Sequence, residues 1–290
     1  MISLQDSLYT EYISKNWKDI SVIVNQAQFG KYGFNWKGGK YDDTLKAAWQ
    51  KKYVLHKDNP LLSLYHSYLD GVEYPGEQAS AQFGLDINDS DPNDGKIKNS
   101  MGTFEQYDFL SEGDSPSFLM LIDNGLEGID VDKVGSWGGY YVTDAENGAK
   151  RIDYTQKYRG NFIPDISRDF AERIRWTEGQ GSLHTPSLMV KEGKYVRVKK
   201  EDIVTLTAIG TDLDGDELFY DWEFDDTASE YERDDFDDVS PILKVNDNVA
   251  IITFRKNTKA GDVYHYYAKV ADDEILGSVK YVDVKIEIIE

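Results

Sequence analysis

The chain has 290 residues, a net charge of −21 and no cysteine, which excludes disulfides, thiolate catalysis and cysteine-based zinc sites. The charge argues against nucleic-acid binding, because phosphate backbones repel an acidic surface. A hydrophobic content of 40% is enough for buried cores, and the length suggests two domains. No stretch approaches the roughly 20 apolar residues of a membrane span, and the first residues lack the basic start and apolar run of a signal peptide.

Helix and strand patterns alternate over residues 1–178, which predicts an α/β layer fold. Residues 7–16 have the spacing of an amphipathic helix, and residues 20–24 have the β-branched composition of a buried strand. A longer amphipathic helix is predicted over residues 165–177. Between residues 71 and 105 glycine, asparagine and aspartate predominate, which predicts a long loop.

Residues 179–190 are rich in glycine, serine and proline and are predicted to form a linker. From residue 191 to 290 apolar and polar residues alternate with a period of two, with turn sequences between the segments. This pattern predicts an all-β, immunoglobulin-like sandwich. The clearest strand segments are 204–209, 218–224, 250–254, 263–270 and 279–288.

Asp114 is the leading single candidate for a metal ligand. It lies just before a helix that is predicted to begin at Ser115 and to end at Gly125 in left-handed geometry. A carboxylate in this position can bind a hard cation such as Ca²⁺. Alternatively, it binds no metal and stabilises the helix N-terminus, through the helix dipole and hydrogen bonds from backbone amides. The local sequence favours this second role.

A second candidate for Ca²⁺ binding is the acidic turn that contains Asp212, Asp214 and Asp216. Carboxylates at alternate positions can gather oxygen atoms around the ion, although the turn is too short for an EF-hand loop. A polar turn between two strands is the simpler interpretation. Histidine adds no further metal site, because no two of the four histidines have metal-ligand spacing (His56, His66, His184 and His265).

Four aromatic residues in turn-like sequences are candidates for stacking on sugar rings. Trp36 follows Asn35, itself a candidate for substrate binding, in the turn Asn-Trp-Lys-Gly-Gly. Trp137 and Tyr140 flank a Gly-Gly step, and Tyr141 follows. Aromatic rings stack on flat ligand faces when they are exposed, but aromatic residues near loops serve more often in packing. The sequence leaves both roles open.

Several motifs together resemble a bacterial family with a nucleoside hydrolase-like domain, often labelled cellulose-binding. Residues 112–119 (Glu-Gly-Asp-Ser-Pro-Ser-Phe-Leu), Asn124-Gly-Leu and Trp137-Gly-Gly-Tyr look like the EGDTPSFL, NGL and WGGRY elements of that family. Ser115 replaces threonine, and Tyr140 replaces arginine. Other elements of the family are similar to Gln5-Asp6, to residues 35–38, to the helix at 169–176 and to the acidic stretch at 212–222.

This resemblance implies hydrolysis of an N-glycosidic or related glycosidic bond, with Ca²⁺ activating the attacking water and Asp114 completing the ion's ligands. It also implies a carbohydrate or nucleoside-like ligand and a periplasmic or secreted location. The family begins with an Asp-rich DxGxxxDD motif that is missing here. We therefore expect the chain to start midway through the hydrolase-like domain and to be inactive alone. A sheet interrupted near residues 20–24 would expose an edge and favour self-association.

Three function classes remain open from the sequence. The first is a fragment of a glycosidic hydrolase, which depends on the Asp-rich motif. The second is a non-catalytic extracellular protein that binds cellulose or another polysaccharide. The third is a structural role in which the sandwich is a spacer on a secreted enzyme.

Overall fold

The computed structural model divides the chain into two compact units, Met1–Leu119 with Trp137–Gln180, and Met120–Ser136 with Gly181–Glu290. The sequence predicted a first domain over residues 1–178, a linker over 179–190 and a sandwich over 191–290, and these bounds stay a prediction. The structure describes residues 2–3, 7–17, 22–24, 44, 46–56, 58–63, 65, 96–99, 102–105, 107, 119, 121–128, 132, 134–146, 148–152, 162–181, 184–232, 240–273 and 276–290.

The described residues of the first unit form short strands and three helices. A four-stranded sheet has the order β1-β2-β6-β5, in which β1, β2 and β6 are parallel and β5 is antiparallel to β6. The elements are β1 (Ile2–Ser3), α1 (Ser7–Asn16), β2 (Ile23–Val24), α2 (Ala47–Tyr53), β3 (Lys96–Asn99), β4 (Gly102–Glu105), β5 (Tyr141–Thr143), β6 (Lys150–Ile152) and α3 (Ile163–Thr177). Parallel pairing agrees with an α/β arrangement, although the described chain as a whole is mostly β-structure.

The predicted helices 7–16 and 165–177 correspond to α1 and α3. Strand β3 pairs with β4 inside the segment that was predicted as a loop. The glycine- and asparagine-rich composition conceals this hairpin, because a connection of two residues is enough for two short strands to pair locally. No helix among the described residues is long and apolar enough to cross a membrane.

Helix α3 buries carboxylates as well as apolar residues. Asp169 and Glu172 are 5% and 1% exposed, and they accept bonds from Arg173 at 2.6 Å and Arg175 at 2.9 Å. Burial raises the pKa of Asp169, and the ion pair with Arg173 opposes this rise. A buried carboxylate is costly without a partner, so these ion pairs within the helix make the burial tolerable.

The second unit contains two four-stranded sheets, with strand orders β10-β13-β14-β8 and β11-β12-β9-β7. Adjacent strands are antiparallel except β14 and β8, which are parallel. The strands are β7 (Ser187–Val190), β8 (Tyr195–Lys199), β9 (Ile203–Thr211), β10 (Phe219–Glu230), β11 (Ile242–Asn246), β12 (Val249–Thr253), β13 (Val263–Ala271) and β14 (Val279–Ile289). This arrangement is consistent with the predicted sandwich. Strand β7 lies within the predicted linker, because pairing with β9 orders residues whose composition indicates only a loop.

Alternate residues of both sheets form one core between them. Leu206 and Ile252 contribute from one sheet, and Val284 and Ile286 contribute from the other, and all four are completely buried. Trp222 lies in the same core, and its indole Nε1 donates to the carbonyl oxygen of Asn248 at 3.2 Å. The period-two pattern of the sequence therefore corresponds to a buried apolar interior.

The outer face of the sheet β10-β13-β14-β8 is covered in part by residues 121–128, which we call the covering segment. The amide of Tyr281 donates to the carbonyl oxygen of Asn124 at 2.7 Å, and Lys280 Nζ donates to the carbonyl oxygen of Asp123 at 2.9 Å. Gly125 has φ of +96°, and a side chain there would collide with the carbonyl oxygen of Tyr281. Glycine is required where backbone approaches backbone this closely.

Candidate functional site

The acidic turn between β9 and β10 is organised by Asp212. Its Oδ1 accepts hydrogen bonds from the amides of Asp214, Gly215 and Asp216 at 2.7, 3.0 and 3.3 Å. Gly215 has φ of +83°, a conformation that glycine adopts without strain. One carboxylate oxygen thus fixes the turn, which is the structural role that the sequence also allowed.

His184 is a partner of this turn that sequence reasoning missed. Its backbone amide donates to Asp214 Oδ2 at 2.8 Å, and its ring Nδ1 lies 2.8 Å from Asp214 Oδ1. Thirty positions separate the two residues, and no local pattern connects them. The histidine side chain is 51% exposed, so solvent screens this contact.

The same turn offers oxygen atoms to a cation. The structure brings one carboxylate oxygen from each of Asp212, Asp214 and Asp216 within 4.8 Å of one another. Oxygens that share a Ca²⁺ ion lie about 2.3–2.6 Å from it, so this spacing permits a common ion. Asp212 Oδ2 is buried and has no hydrogen-bond partner among the described residues, which fits a group that accepts a ligand. Asp214 is already engaged by His184, so the fit is partial.

The other residues predicted for a site are not assembled by the described structure. Asp114, Asn35 and Trp36 lie outside the described residues. Trp137 and Tyr140 are only 1% and 4% exposed. Their burial favours the packing role over a stacking platform, because a ring must present an open face to stack on a sugar.

His56 belongs to a polar cluster at the end of α3 that the sequence did not indicate. Its Nδ1 lies 3.0 Å from Glu178 Oε1, and Asn59 Nδ2 donates to the same oxygen at 3.1 Å. Burial lowers the pKa of His56, but the contacts with the Lys52 carbonyl and with Glu178 outweigh it and the pKa is raised. The pKa of Glu178 is correspondingly lowered. The cluster joins two neighbouring segments of the first unit.

Asp283 is a buried carboxyl on the outer face of β14. Its Oδ2 accepts a hydrogen bond from the backbone amide of Glu127 at 2.6 Å. Burial raises the pKa of Asp283 to about 7, and the bond from Glu127 opposes this rise. Period-two alternation would place Asp283 in solvent, and the covering segment is the reason that it is 9% exposed. A carboxyl that titrates near neutrality in a cleft is often functional.

Residues 1–141 match the family model described as cellulose-binding Sde182, nucleoside hydrolase-like domain. The match covers slightly less than half of the 290 residues, and over that part the chain is similar to the family. The resemblance predicted from the motifs is therefore confirmed for this part of the chain.

The chain is similar in fold to a solved structure from Saccharophagus degradans, described as a nucleoside hydrolase-related hypothetical protein associated with carbohydrate metabolism. The similarity covers 99% of this chain and 62% of that chain, with 19% identity and a TM-score of 0.56. The chain thus spans less than two thirds of that protein's length.

Two further structures match 36% of this chain with low TM-scores. They are three N-terminal domains of the bacteriophage RB49 outer capsid protein Hoc (20% identity, 30% of that chain, TM-score 0.24) and the titin M3 domain (10% identity, 97% of that chain, TM-score 0.21). No curated protein matches the chain significantly.

Proposed function

We propose that this protein binds a polysaccharide outside the cell, through a nucleoside hydrolase-like domain joined to an immunoglobulin-like sandwich. One observation carries the proposal, which is the match of residues 1–141 to a family described as cellulose-binding. The proposal also includes a Rossmann-type layer in the first domain and a periplasmic or secreted location. A net charge of −21 suits a neutral polymer better than an anionic one, because like charges repel.

Sedimentation with insoluble cellulose tests the binding proposal. We expect the full chain to be retained and Trp36→Ala to weaken retention, because an indole face stacks on sugar rings. Trp17→Ala is the matched control, since Trp17 is 45% exposed and contacts Tyr12 edge-on at 5.5 Å between ring centroids. Absence of the full chain from the pellet at every concentration would contradict the proposal.

A second candidate function is hydrolysis of a glycosidic bond, which the nucleoside hydrolase-like description of the family favours. In this reaction, water forms a bond to the anomeric carbon as the bond to the leaving group breaks, and the leaving group takes up a proton. Asp114 is the residue that we propose as a Ca²⁺ ligand, and a bound ion would lower the pKa of water. Turnover of nucleosides that requires Ca²⁺ and disappears in Asp114→Ala would make hydrolysis the primary function. Lack of turnover would leave binding as the function.

We also propose that the acidic turn at 212–216 binds Ca²⁺. The replacement Asp212→Asn keeps an oxygen that can accept the amide bonds of the turn but removes a charge from the ion's ligands. Calorimetric titration with Ca²⁺ should therefore show a loss of affinity in this variant, while Glu217→Gln, which changes an exposed neighbour, should bind as before. A bound ion at 100 times its dissociation constant would stabilise the unit by about 2.7 kcal/mol. Equal affinity in the two variants would refute the site.

A further inference from the structure

A small cleft of about 130 Å³ lies on the outer face of the sheet β10-β13-β14-β8, beside the covering segment. Every residue that lines it belongs to the second unit. Asp283 is at the buried side of the cleft, and Glu230, His265 and Lys285 line its walls. This cleft is separate from the acidic turn, and it lies beside the Asn124-Gly-Leu element, which precedes the lining residue Glu127 in the covering segment.

Glu127 and Lys194, which also line the cleft, form an ion pair with each other at 2.6 Å, whereas some other polar groups of the cleft are not paired in this way. Within the described part of the chain, the side chains of Glu230, His265 and Lys285 make no hydrogen bond or ion pair. The buried carboxyl of Asp283 uses Oδ2 to accept from Glu127, and no described residue bonds to its Oδ1. Polar groups that converge on a cavity without satisfying one another are available to a ligand or to water.

The mixture of these groups restricts the chemistry of the ligand. Lys285 is a donor and Glu230 is an acceptor, and burial together with the nearby charge of Lys285 lowers the pKa of His265, so that its ring is neutral and offers one donor and one acceptor. The carboxylates would repel an anion, and the ammonium group of Lys285 would repel a metal ion. Hydroxyl groups both donate and accept hydrogen bonds, so a neutral polyol can bond to each of these groups and adds no charge of its own to the cleft.

The apolar parts of the cleft indicate a ring rather than a linear polyol. Tyr195 is 74% exposed at the rim, and Val263 lines the wall. An aromatic face and a branched aliphatic side chain contact the C–H faces of a sugar ring. The volume is well below the roughly 300–1,000 Å³ of pockets for drug-sized ligands, so it admits about one ring.

We propose that this cleft binds a single ring of a neutral sugar, with Glu230, Lys285 and Asp283 bonding to its hydroxyl groups. The inference rests on the proposed carbohydrate-binding function and assigns it a place in the second unit. A polysaccharide would contribute a terminal or exposed ring to the cleft, and the rest of the polymer would extend past Tyr195.

Titration of the full chain with D-glucose and cellobiose, followed by NMR chemical shifts, tests the proposal. We expect Glu230→Gln and Lys285→Met each to weaken binding roughly tenfold, because the first replaces a charged acceptor with a neutral one and the second removes a charged donor. Glu201→Gln is the matched control, since Glu201 is an exposed carboxylate of the same unit outside the cleft. Inorganic phosphate and Ca²⁺ serve as an anionic and a cationic probe.

Weaker sugar binding in the two cleft variants, with the control unchanged, would support the proposal. Sugar binding that is equal in all variants would overturn it and leave the cellulose-binding proposal standing. The cleft proposal is also overturned if neither sugar shifts any signal, or if phosphate or Ca²⁺ occupies the cleft in preference to the sugars. Retention on insoluble cellulose is measured separately, so a failure of the cleft is distinguishable from a failure of the proposed function.

Discussion

The two faces of the sheet β10-β13-β14-β8 are built differently although the same strands supply both. The core face is apolar, with Tyr264, Val284 and Ile286 at most 1% exposed. The opposite face carries charged and polar residues, yet Tyr281 and Asp283 on it are also buried. The covering segment contacts both residues, because Asn124 accepts from the Tyr281 amide and the Glu127 amide donates to the Asp283 carboxylate. One face is buried by a partner sheet that continues the same pattern, and the other by a segment from elsewhere in the sequence.

The core face should be the more costly to disturb. Ile286→Ala removes buried methylene groups and leaves a cavity that the surrounding strands fill only in part. We expect a loss of roughly 2–5 kcal/mol in the free energy of unfolding, measured by urea denaturation of the full chain. Ile289→Ala, at a position that is 38% exposed on the end of the same strand, is the control. A loss of the same size in both variants would contradict the comparison.

The outer face should make stability depend on pH through Asp283. Folding raises the pKa of Asp283 to about 7, so the folded protein keeps a proton that the unfolded chain has released. Its contribution is complete below the ordinary pKa of an aspartate and is lost as the pH rises through 7, by up to about 4 kcal/mol. Charged or titratable groups near Asp283 are Glu127, Asp132, Lys194, Asp225, Glu230, His265 and Lys285.

Asp283→Asn tests this pH dependence. The amide oxygen of asparagine can still accept the bond from Glu127, but the buried charge is gone. We expect the variant to exceed the wild type in stability at pH 8 and to approach it at pH 4, as measured by denaturation at both values. If the wild type is equally stable at both pH values, the carboxyl is not buried as the structure indicates.

Attachment of the covering segment can be tested at Gly125. Gly125→Ala introduces a methyl group against the carbonyl oxygen of Tyr281 at a positive φ. We expect a loss of roughly 1–3 kcal/mol and faster hydrogen exchange in the outer-face amides of β14. Gly193→Ala is a useful control, because Gly193 also has positive φ but no atom lies within 4 Å of an added side chain. Equal effects would assign the loss to backbone strain alone.

The smallest effect should come from the ion pair at the edge of the covering segment. Lys194 Nζ lies 2.6 Å from Glu127 Oε1, and their side chains are 51% and 31% exposed. Lys194→Met should cost less than about 1 kcal/mol, because solvent screens such pairs. High salt should reduce the difference between variant and wild type further. A larger cost would mean that this lysine, and not the backbone contacts, holds the segment.

Local pattern was sufficient for the sandwich strands β9, β10, β12, β13 and β14, whereas β7 lies within the predicted linker. The segment 279–288 alternates in sequence, and β14 extends over Val279–Ile289 with its apolar side in the core. Asp212, Asp214 and Asp216 occupy every second position of the sequence, which likewise placed three carboxylates on one turn. Their oxygen atoms lie close together. Short-range geometry connects residues only a few positions apart, so such features can be read from the chain directly.

The sequence by itself determined which residues face a core, where the acidic turn lies and which family the first 141 residues resemble. Only the tertiary structure decided that Asp283 is buried, that His184 contacts the acidic turn, and that Trp137 is enclosed. The reason is distance along the chain: Glu127 and Asp283 are 156 positions apart, and no period within a strand encodes what will cover its outer face. Periodicity shows which face of the sheet a side chain lies on, whereas its burial depends on what packs against that face in the folded protein.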